Sequence, residues 1–400
     1  MINPSAQGWI DKFFSDQSSA TKAQHDRSDE LFYLNLRRTG FIYGHIITLD
    51  TPVKIITKGW LQDEISKVAL LNTLYRTYLL SAEKPEITKF TAKAIAFYDE
   101  MNPKSFSLLK KVLPSDPPSI ALEKIIDDRV RTNDNFISKN FSHIVTNALL
   151  FVDVLAFAKY LERGSIPDKY LKRTEELILS VVSLALKTKS NKTEYDTLLM
   201  RLFESSVRYS KFARANIEST DALQLDFFSK DLEKFYLVDM AGIALWSDGV
   251  VEKEEAYFLY QLGSRMEIAD DFIDLSIIET NEFIKKHKKN IPYFNYSNPV
   301  KHFYDRITQS VVVLISRNKN RLIKEIRQSG ELMVLLAQST ARDLNEKEKK
   351  KVRKQLLEIC KTIPSLTIFL LPGGSLLLPI LIKFIPQMLP SAFNENIDTE

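Results

Sequence analysis

The residues best suited to chemistry are carboxylates grouped near residue 250. Residues 248–255 contain one aspartate and three glutamates between two apolar helical stretches. Carboxylate oxygens suit a divalent cation, but acidic side chains are also stabilised at the positive end of a helix without any ligand. A calcium EF-hand is excluded, because Trp246 and Val250 supply no side-chain oxygen to a loop that needs ligands at alternating positions.

The segment over residues 225–290 resembles the TerB-like helical domain of tellurite-resistance proteins. The shared motif is Asp248-Gly249, then the branched Val251, then Glu255. The resemblance implies that Asp248 and Glu255 ligate a divalent cation in a soluble metal- or stress-responsive module. The alternative is a helix–loop–helix whose acidic residues only cap the second helix. Apart from this cation, we predict no cofactor.

Other motifs argue against an enzyme. The sequence has no glycine-rich phosphate loop, His-Glu-x-x-His or Gly-x-Ser-x-Gly motif. None of the five histidines has a histidine three or four residues away, as a helical metal site would need. The one cysteine, Cys360, lies among apolar residues, which favours packing over nucleophilic chemistry. We therefore predict a non-enzymatic protein.

The C-terminal segment carries a membrane signal. Residues 363–382 contain no charge and include twelve Leu, Ile or Phe residues, and 20 residues are enough to cross a bilayer core. Prolines and a glycine pair favour a kinked span or a re-entrant hairpin. The alternative is an apolar hairpin buried in a soluble helical bundle. The residues that define the predicted membrane segment are Pro364, Pro372, Gly373, Gly374, Pro379, Pro386 and Pro390.

A basic stretch precedes the apolar run. If the run enters a bilayer, this side is expected to stay in the cytoplasm and to favour anionic lipid. The predicted basic flank consists of Lys349, Lys350, Lys351, Arg353 and Lys354.

The proline spacing, the end Leu389-Pro390-Ser391-Ala392-Phe393 and the helix over 344–360 resemble the LETM family, the leucine zipper–EF-hand-containing transmembrane proteins of the mitochondrial inner membrane. The similarity covers residues 320–394. The run Ser329-Gly330-Glu331-Leu332 is similar to the bacterial LETM-related, biofilm-associated group.

This resemblance implies a membrane-associated scaffold at the cytoplasmic face of the bacterial inner membrane, linked to ion homeostasis, the cell envelope or biofilm. The alternative location is the soluble cytoplasm. The implied partners are the lipid bilayer, a protein partner or a second copy of the chain, and the ribosome by family association.

Two departures from the family pattern affect the expected function. The family has an acidic residue three positions after the second proline, where this chain has Ser375. Cation/proton exchange by oligomers of the tail is therefore kept only as an alternative. The family's ribosome-binding domain is expected to follow the membrane segment and to be missing from this sequence.

The elements that position these residues are expected to be mostly α-helices, because the chain has only 11 glycines among 400 residues. Helical spacing predicts a docking helix around residues 9–14 and further helices over 62–80, 86–101, 119–133, 142–163, 168–188 and 191–214. The helix over 142–163 has Asp153 near its middle, which favours a buried bundle helix over a membrane span. β-Branched residues around a Pro turn predict a small β-hairpin over 41–57.

The predicted organisation is a multi-helix bundle with four parts. These are an N-terminal helical region (1–214), a TerB-like unit (215–292), LETM-like linking helices (299–362, with one long helix over 299–343) and the membrane segment (363–393). The charge is +4 from 55 basic and 51 acidic residues. This small excess gives no argument for direct binding to nucleic acid.

Overall fold

The structure is a computed structural model. It describes residues 2–18, 28–101, 116–130, 149–189, 219–246, 253–287, 312, 314–342, 344–363, 366, 382 and 385. Within these ranges the regular structure is helical and no strand is present, which confirms the mostly α prediction. Contacts divide the chain into a first unit (1–58, 62–132 and 144–297) and a C-terminal unit (59–61, 133–143 and 298–400).

The first unit contains ten of the described α-helices and two short 3₁₀ turns, at Thr220–Ala222 and Leu225–Phe227. Its α-helices are α1 (Trp9–Ser18), α2 (Asp29–Thr39), α3 (Gln62–Ser81), α4 (Ile87–Met101), α5 (Pro118–Val130), α6 (Phe151–Arg163), α7 (Tyr170–Thr188), α8 (Asp231–Leu245), α9 (Lys253–Arg265) and α10 (Asp270–His287).

The predicted docking helix is confirmed as α1. Its four apolar residues Trp9, Ile10, Phe13 and Phe14 are all buried. Glu123 of α5 accepts hydrogen bonds from the backbone N–H groups of Gly8 and Ile10, each at 3.0 Å. A carboxylate from another helix therefore satisfies N–H groups that the start of α1 leaves free.

The acid in α6 is buried and paired, as expected for a helix inside a bundle. Arg129 of α5 donates to both oxygens of Asp153, with Nε at 2.8 Å from Oδ2. The hydroxyl of Tyr98 donates to the same Oδ2 at 3.2 Å. These partners compensate the carboxylate for lost water, and the interpretation of α6 as a buried helix is confirmed.

The predicted β-hairpin is wrong, since residues 41–57 contain turns and irregular backbone but no strand. Side chains form hydrogen bonds with backbone groups that would pair between the two strands of a hairpin. The Gln17 side-chain amide donates to Val53 O at 3.1 Å and accepts from Val53 N at 2.8 Å. Asn72 of α3 donates to Asp50 O at 2.8 Å. The segment is thus held against α1 and α3 instead of pairing with itself.

The C-terminal unit contains three described helices: α11 (Lys319–Gln328), α12 (Gly330–Ala341) and α13 (Glu346–Thr362). A continuous linking helix over 299–343 is therefore wrong within the described part. Ser329 interrupts it with φ −105° and ψ 83°, and Gly330 begins the next helix. This ψ leaves the helical region, so the i→i−4 bonding stops there.

The core of the C-terminal unit brings the three helices together. Leu322 and Ile326 of α11, Leu332 and Leu336 of α12, and the apolar side of α13 are buried in one cluster. α13 starts with a capping box, because the Asn345 side chain accepts from two backbone N–H groups and Glu348 accepts from Asn345 N. This box fixes the residue at which α13 begins.

Candidate functional site: a lysine face on the C-terminal unit

The helix α13 has an apolar side in the core and a lysine side in solvent. Val352 and Leu356 are fully buried. Lys347, Lys350 and Lys354 are exposed at spacing i, i+3 and i+7, which places them on one stripe of the helix. We call these three residues the lysine face.

Within the described ranges, the lysine face differs from the neighbouring cations in having no acidic partner. Four other cations are paired: Arg342 with Glu348, Lys349 with Glu346, Lys351 with Glu331, and Lys361 with Glu358. Among the described residues, no ion pair involves the three face lysines or Arg353. Of the predicted basic flank, the structure therefore leaves Lys350, Arg353 and Lys354 uncompensated, whereas Lys349 and Lys351 are neutralised.

Ion pairs connect α13 to Arg342, which precedes it, and to α12. Glu348 accepts from Nη1 and Nη2 of Arg342 at 2.9 and 2.8 Å. The Arg342 hydrogen bonds and the backbone N–H of Asn345 lower the pKa of Glu348 to about 2. Glu331 of α12 accepts from Lys351 and Gln355, and these contacts also lower the pKa of Glu331.

Positive charge is concentrated in this part of the chain. Residues 314–363 contain 13 lysines and arginines against six aspartates and glutamates, an excess of +7, whereas the whole chain has only +4. The remaining residues are therefore net negative. The whole-chain charge conceals a local positive potential of the kind that attracts polyanions.

Cys360 lies on the core side of α13 and is fully buried. Removal from water raises the pKa of its thiol to about 12. A thiol that stays protonated is a poor nucleophile. The prediction that Cys360 serves packing is therefore supported.

The structure describes only residues 363, 366, 382 and 385 of the predicted membrane segment. Ile363, Leu366 and Ile385 are buried in the core of the C-terminal unit, and Ile382 packs against it. No helix among the described residues is long and apolar enough to cross a bilayer. The residues that defined the segment, Pro364, Pro372, Gly373, Gly374, Pro379, Pro386 and Pro390, lie outside the described residues.

The predicted metal ligands are not brought together in the described residues. Glu255 is buried in the first turn of α9, whereas Asp248 lies outside the described residues. Within the described ranges, no group of three or more His, Cys, Asp or Glu side chains could hold a metal ion. The metal site at Asp248 and Glu255 stays a prediction.

Sequence reasoning missed a buried polar cluster centred on Asp239 of α8. Arg37 of α2 donates to both Asp239 oxygens, at 2.9 Å from Nε and 3.1 Å from Nη2. Tyr33 donates to Asp239 at 2.7 Å, and Ser276 of α10 donates to it as well. Glu279 of α10 also contacts Arg37, at 3.2 Å.

This cluster connects α2, α8 and α10, and its role is structural. Burial and the Asp239 charge raise the pKa of Tyr33, which therefore remains a protonated donor. Each oxygen of Asp239 is satisfied by donors. The sequence signal was an acid inside the apolar run of α8, a pattern that demands a buried partner.

Comparison with known families gives a match over a segment that includes the lysine face. Residues 344–400 match the family model "LETM1-like, RBD". The matched segment is 57 of 400 residues and begins two residues before α13. No curated protein and no solved structure matches the chain.

The match supports the resemblance to the LETM family over this segment and corrects one expectation. The family's RBD was expected to be missing, yet the matching model is the one for that domain, and it includes α13. The error came from placing the domain entirely after the apolar run. The TerB-like unit and the bacterial biofilm-associated group stay predictions.

Proposed function

We propose that this protein is a non-enzymatic, LETM-like scaffold that binds the ribosome through the lysine face. The observation that carries the proposal is the position of Lys347, Lys350 and Lys354 on α13, inside the RBD family match, where they are exposed and form no ion pair with a described residue. We place the scaffold at the cytoplasmic face of a bacterial inner membrane, with the family's links to ion homeostasis, the cell envelope and biofilm as its setting.

The chemistry of the lysine face fits a phosphate-rich surface. Lysines that neutralise phosphates release condensed counterions, so such binding weakens as salt rises. A rigid helix also presents its lysines at fixed positions, which reduces the entropy lost on binding. Because α13 begins with a capping box and buries its apolar side in the core, the helix backbone that carries the lysine face is fixed before a partner arrives.

The test is co-sedimentation of the full chain with purified ribosomes through a sucrose cushion, from about 50 to 200 mM salt. We expect the chain to pellet with ribosomes at low salt. A triple charge reversal, Lys347→Glu with Lys350→Glu and Lys354→Glu, should abolish this. Each lost phosphate contact should lower the salt slope by about one.

The matched control reverses three exposed lysines of the first unit, Lys54→Glu, Lys84→Glu and Lys93→Glu, with the same change in net charge. This variant should retain at least a large part of the binding. Absence of pelleting by the unmodified chain at low salt, or equal loss in both triple variants, would contradict the proposal.

Membrane attachment is the second candidate function, and the uncharged run at 363–382 favours it. Leu366 and Ile385, which lie 19 positions apart, are both buried in the core of the C-terminal unit. We infer that the intervening apolar residues dip into a bilayer and return to the same side. An anionic lipid surface would also attract the neighbouring lysines.

Vesicle flotation tests the attachment. The full chain should float with vesicles that contain an anionic lipid, whereas Leu377→Glu with Leu378→Glu should leave it at the bottom of the gradient. The lysine-face triple variant should still float at high salt. Recovery of the unmodified chain without detergent, together with no flotation, would rule the attachment out.

Two further alternatives, cation/proton exchange and a soluble TerB-like module, are supported by fewer observations. Cation/proton exchange by the oligomerised tail is disfavoured by Ser375, because a carboxylate is absent where the family has one. The soluble TerB-like module would act through Asp248 and Glu255. Calorimetric titration with a divalent cation should then give heat that Asp248→Ala removes.

A further inference from the structure

A cavity of about 730 Å³ opens on the first unit. It lies where the end of α6, the start of α7, the 3₁₀ turns and the last residue of α9 meet. Cavities of this size hold drug-sized ligands.

The walls of the cavity are predominantly cationic. Four cations face two carboxylates, and the Asp221 side chain is 90% exposed, so solvent screens its charge. The cations are Lys159, Arg163, Arg173 and Arg265, and the carboxylates are Asp221 and Asp226.

The most buried of the four cations is Lys159, which is only 5% exposed. Its Nζ lies 3.2 Å from Glu233 Oε2 and donates to Ser229 Oγ at 3.1 Å. An ammonium has three N–H groups, and no third acceptor for Lys159 lies in the described part of the chain.

The partner Glu233 is shared among several donors. It accepts from the Tyr170 hydroxyl at 2.6 Å and from the backbone N–H groups of Ser229 and Lys230 at 3.0 and 2.9 Å. These hydrogen bonds hold the carboxylate in place. Lys159 keeps one N–H group for which the described residues offer no acceptor, and an incoming anion can accept from it.

Two arginines of the cavity wall have N–H groups for which the described residues offer no acceptor. The Arg173 guanidinium lies 4.2 Å from the Phe227 ring centroid and donates once, to Gln224 at 3.2 Å. Arg163 has no acceptor among the described residues. A guanidinium has five N–H groups in a planar fork that matches phosphate oxygens. Phe227 and Tyr170, with ring centroids 5.6 Å apart, add an aromatic wall beside these donors.

We propose that this cavity binds a nucleotide-sized organic phosphate. The phosphate groups contact Lys159, Arg163 and Arg173, and the apolar part rests against Phe227. An inorganic phosphate would satisfy the cations but would leave most of the cavity volume and the aromatic wall unused.

Isothermal titration calorimetry of the full chain in phosphate-free buffer tests the assignment, with ADP, pyrophosphate and adenosine as probes. We expect ADP to bind more tightly than pyrophosphate, and adenosine to give no heat. Arg163→Ala and Arg173→Ala should each weaken ADP binding about tenfold, since each removes charge-assisted hydrogen bonds.

The control is Lys172→Ala, which removes an exposed lysine next to Arg173 that does not line the cavity. It should leave the affinity within about twofold. Equal weakening by Lys172→Ala and Arg173→Ala, at unchanged melting temperature, would overturn the site. Absence of heat from ADP would overturn it too, and pyrophosphate binding as tightly as ADP would overturn the assignment to an organic phosphate.

Discussion

At the scale of single residues, the first unit depends on charges that are buried together with their partners. Arg37 and Asp239 are 1% and 0% exposed, and they lie 202 positions apart. Removal of one partner from such a pair leaves the other charge buried without compensation, which costs far more than the pair contributes. The separation explains why sequence reasoning did not find the pair, since no local periodicity links the two residues.

Asp239→Ala should therefore lower the free energy of unfolding by about 3–5 kcal/mol. The matched control is Arg38→Ala, whose side chain is 61% exposed and pairs with Glu279 from the surface. That change should cost less than about 1 kcal/mol. Urea unfolding followed by tryptophan fluorescence measures both, and similar losses in the two variants would contradict the role assigned to the cluster.

The pH dependence of α13 should reflect Glu348. Its pKa in the folded chain, about 2, lies below the ordinary value of 4.5. The stabilising contribution of the carboxylate is thus fully present above about pH 4.5 and is lost as the pH falls through about 2. Carbon NMR of the side-chain carboxyl should show this low pKa, and Arg342→Ala should move it back towards 4.5. A titration at the ordinary value in the unmodified chain would disprove the contact.

At the scale of elements, the sequence predicted helices well where apolar spacing was strong. The predicted ranges 62–80 and 86–101 became α3 and α4, with ends one residue away or less. The predictions of secondary structure failed where tertiary contacts determine the backbone conformation. The backbone of Val53 is hydrogen-bonded to the Gln17 side chain, and Ser329 separates two helices within the range predicted as one linking helix. Neither contact leaves a periodic signal.

The capping box of α13 gives a prediction at this scale. Asn345→Ala removes the acceptor of the Lys347 and Glu348 backbone N–H groups and should cost about 0.5–2 kcal/mol. Asn345→Asp retains the acceptor and should cost little. Thermal unfolding by circular dichroism measures both variants. If the Ala and Asp variants melt together and below the unmodified chain, the cap does not work as described.

At the scale of the whole molecule, the sequence indicated the basic flank but not which cations remain unpaired. Lys351 and Lys350 are neighbours in sequence, yet only Lys351 reaches an acid on α12. The net charge of the whole chain was also a poor guide, because the excess of +7 in residues 314–363 is offset by negative charge elsewhere.

This arrangement predicts that two neighbouring lysines of α13 contribute differently to binding. Lys351→Ala should reduce ribosome co-sedimentation less than Lys350→Ala, because the Lys351 charge is already neutralised by Glu331. The two proteins have the same net charge, so whole-chain electrostatics predicts equal loss. Equal loss across the salt series would therefore contradict the lysine face as the binding surface.

The buried polar cluster around Asp239 has a consequence for synthesis of the chain. Arg37 and Tyr33 leave the ribosome long before Asp239 and Ser276 have been made. Until α8 and α10 emerge, the Arg37 guanidinium and the Tyr33 hydroxyl lack the Asp239 carboxylate that accepts their hydrogen bonds in the folded unit. Completion of the first unit must therefore wait for its last helix, and shorter nascent chains should remain open to proteases and chaperones.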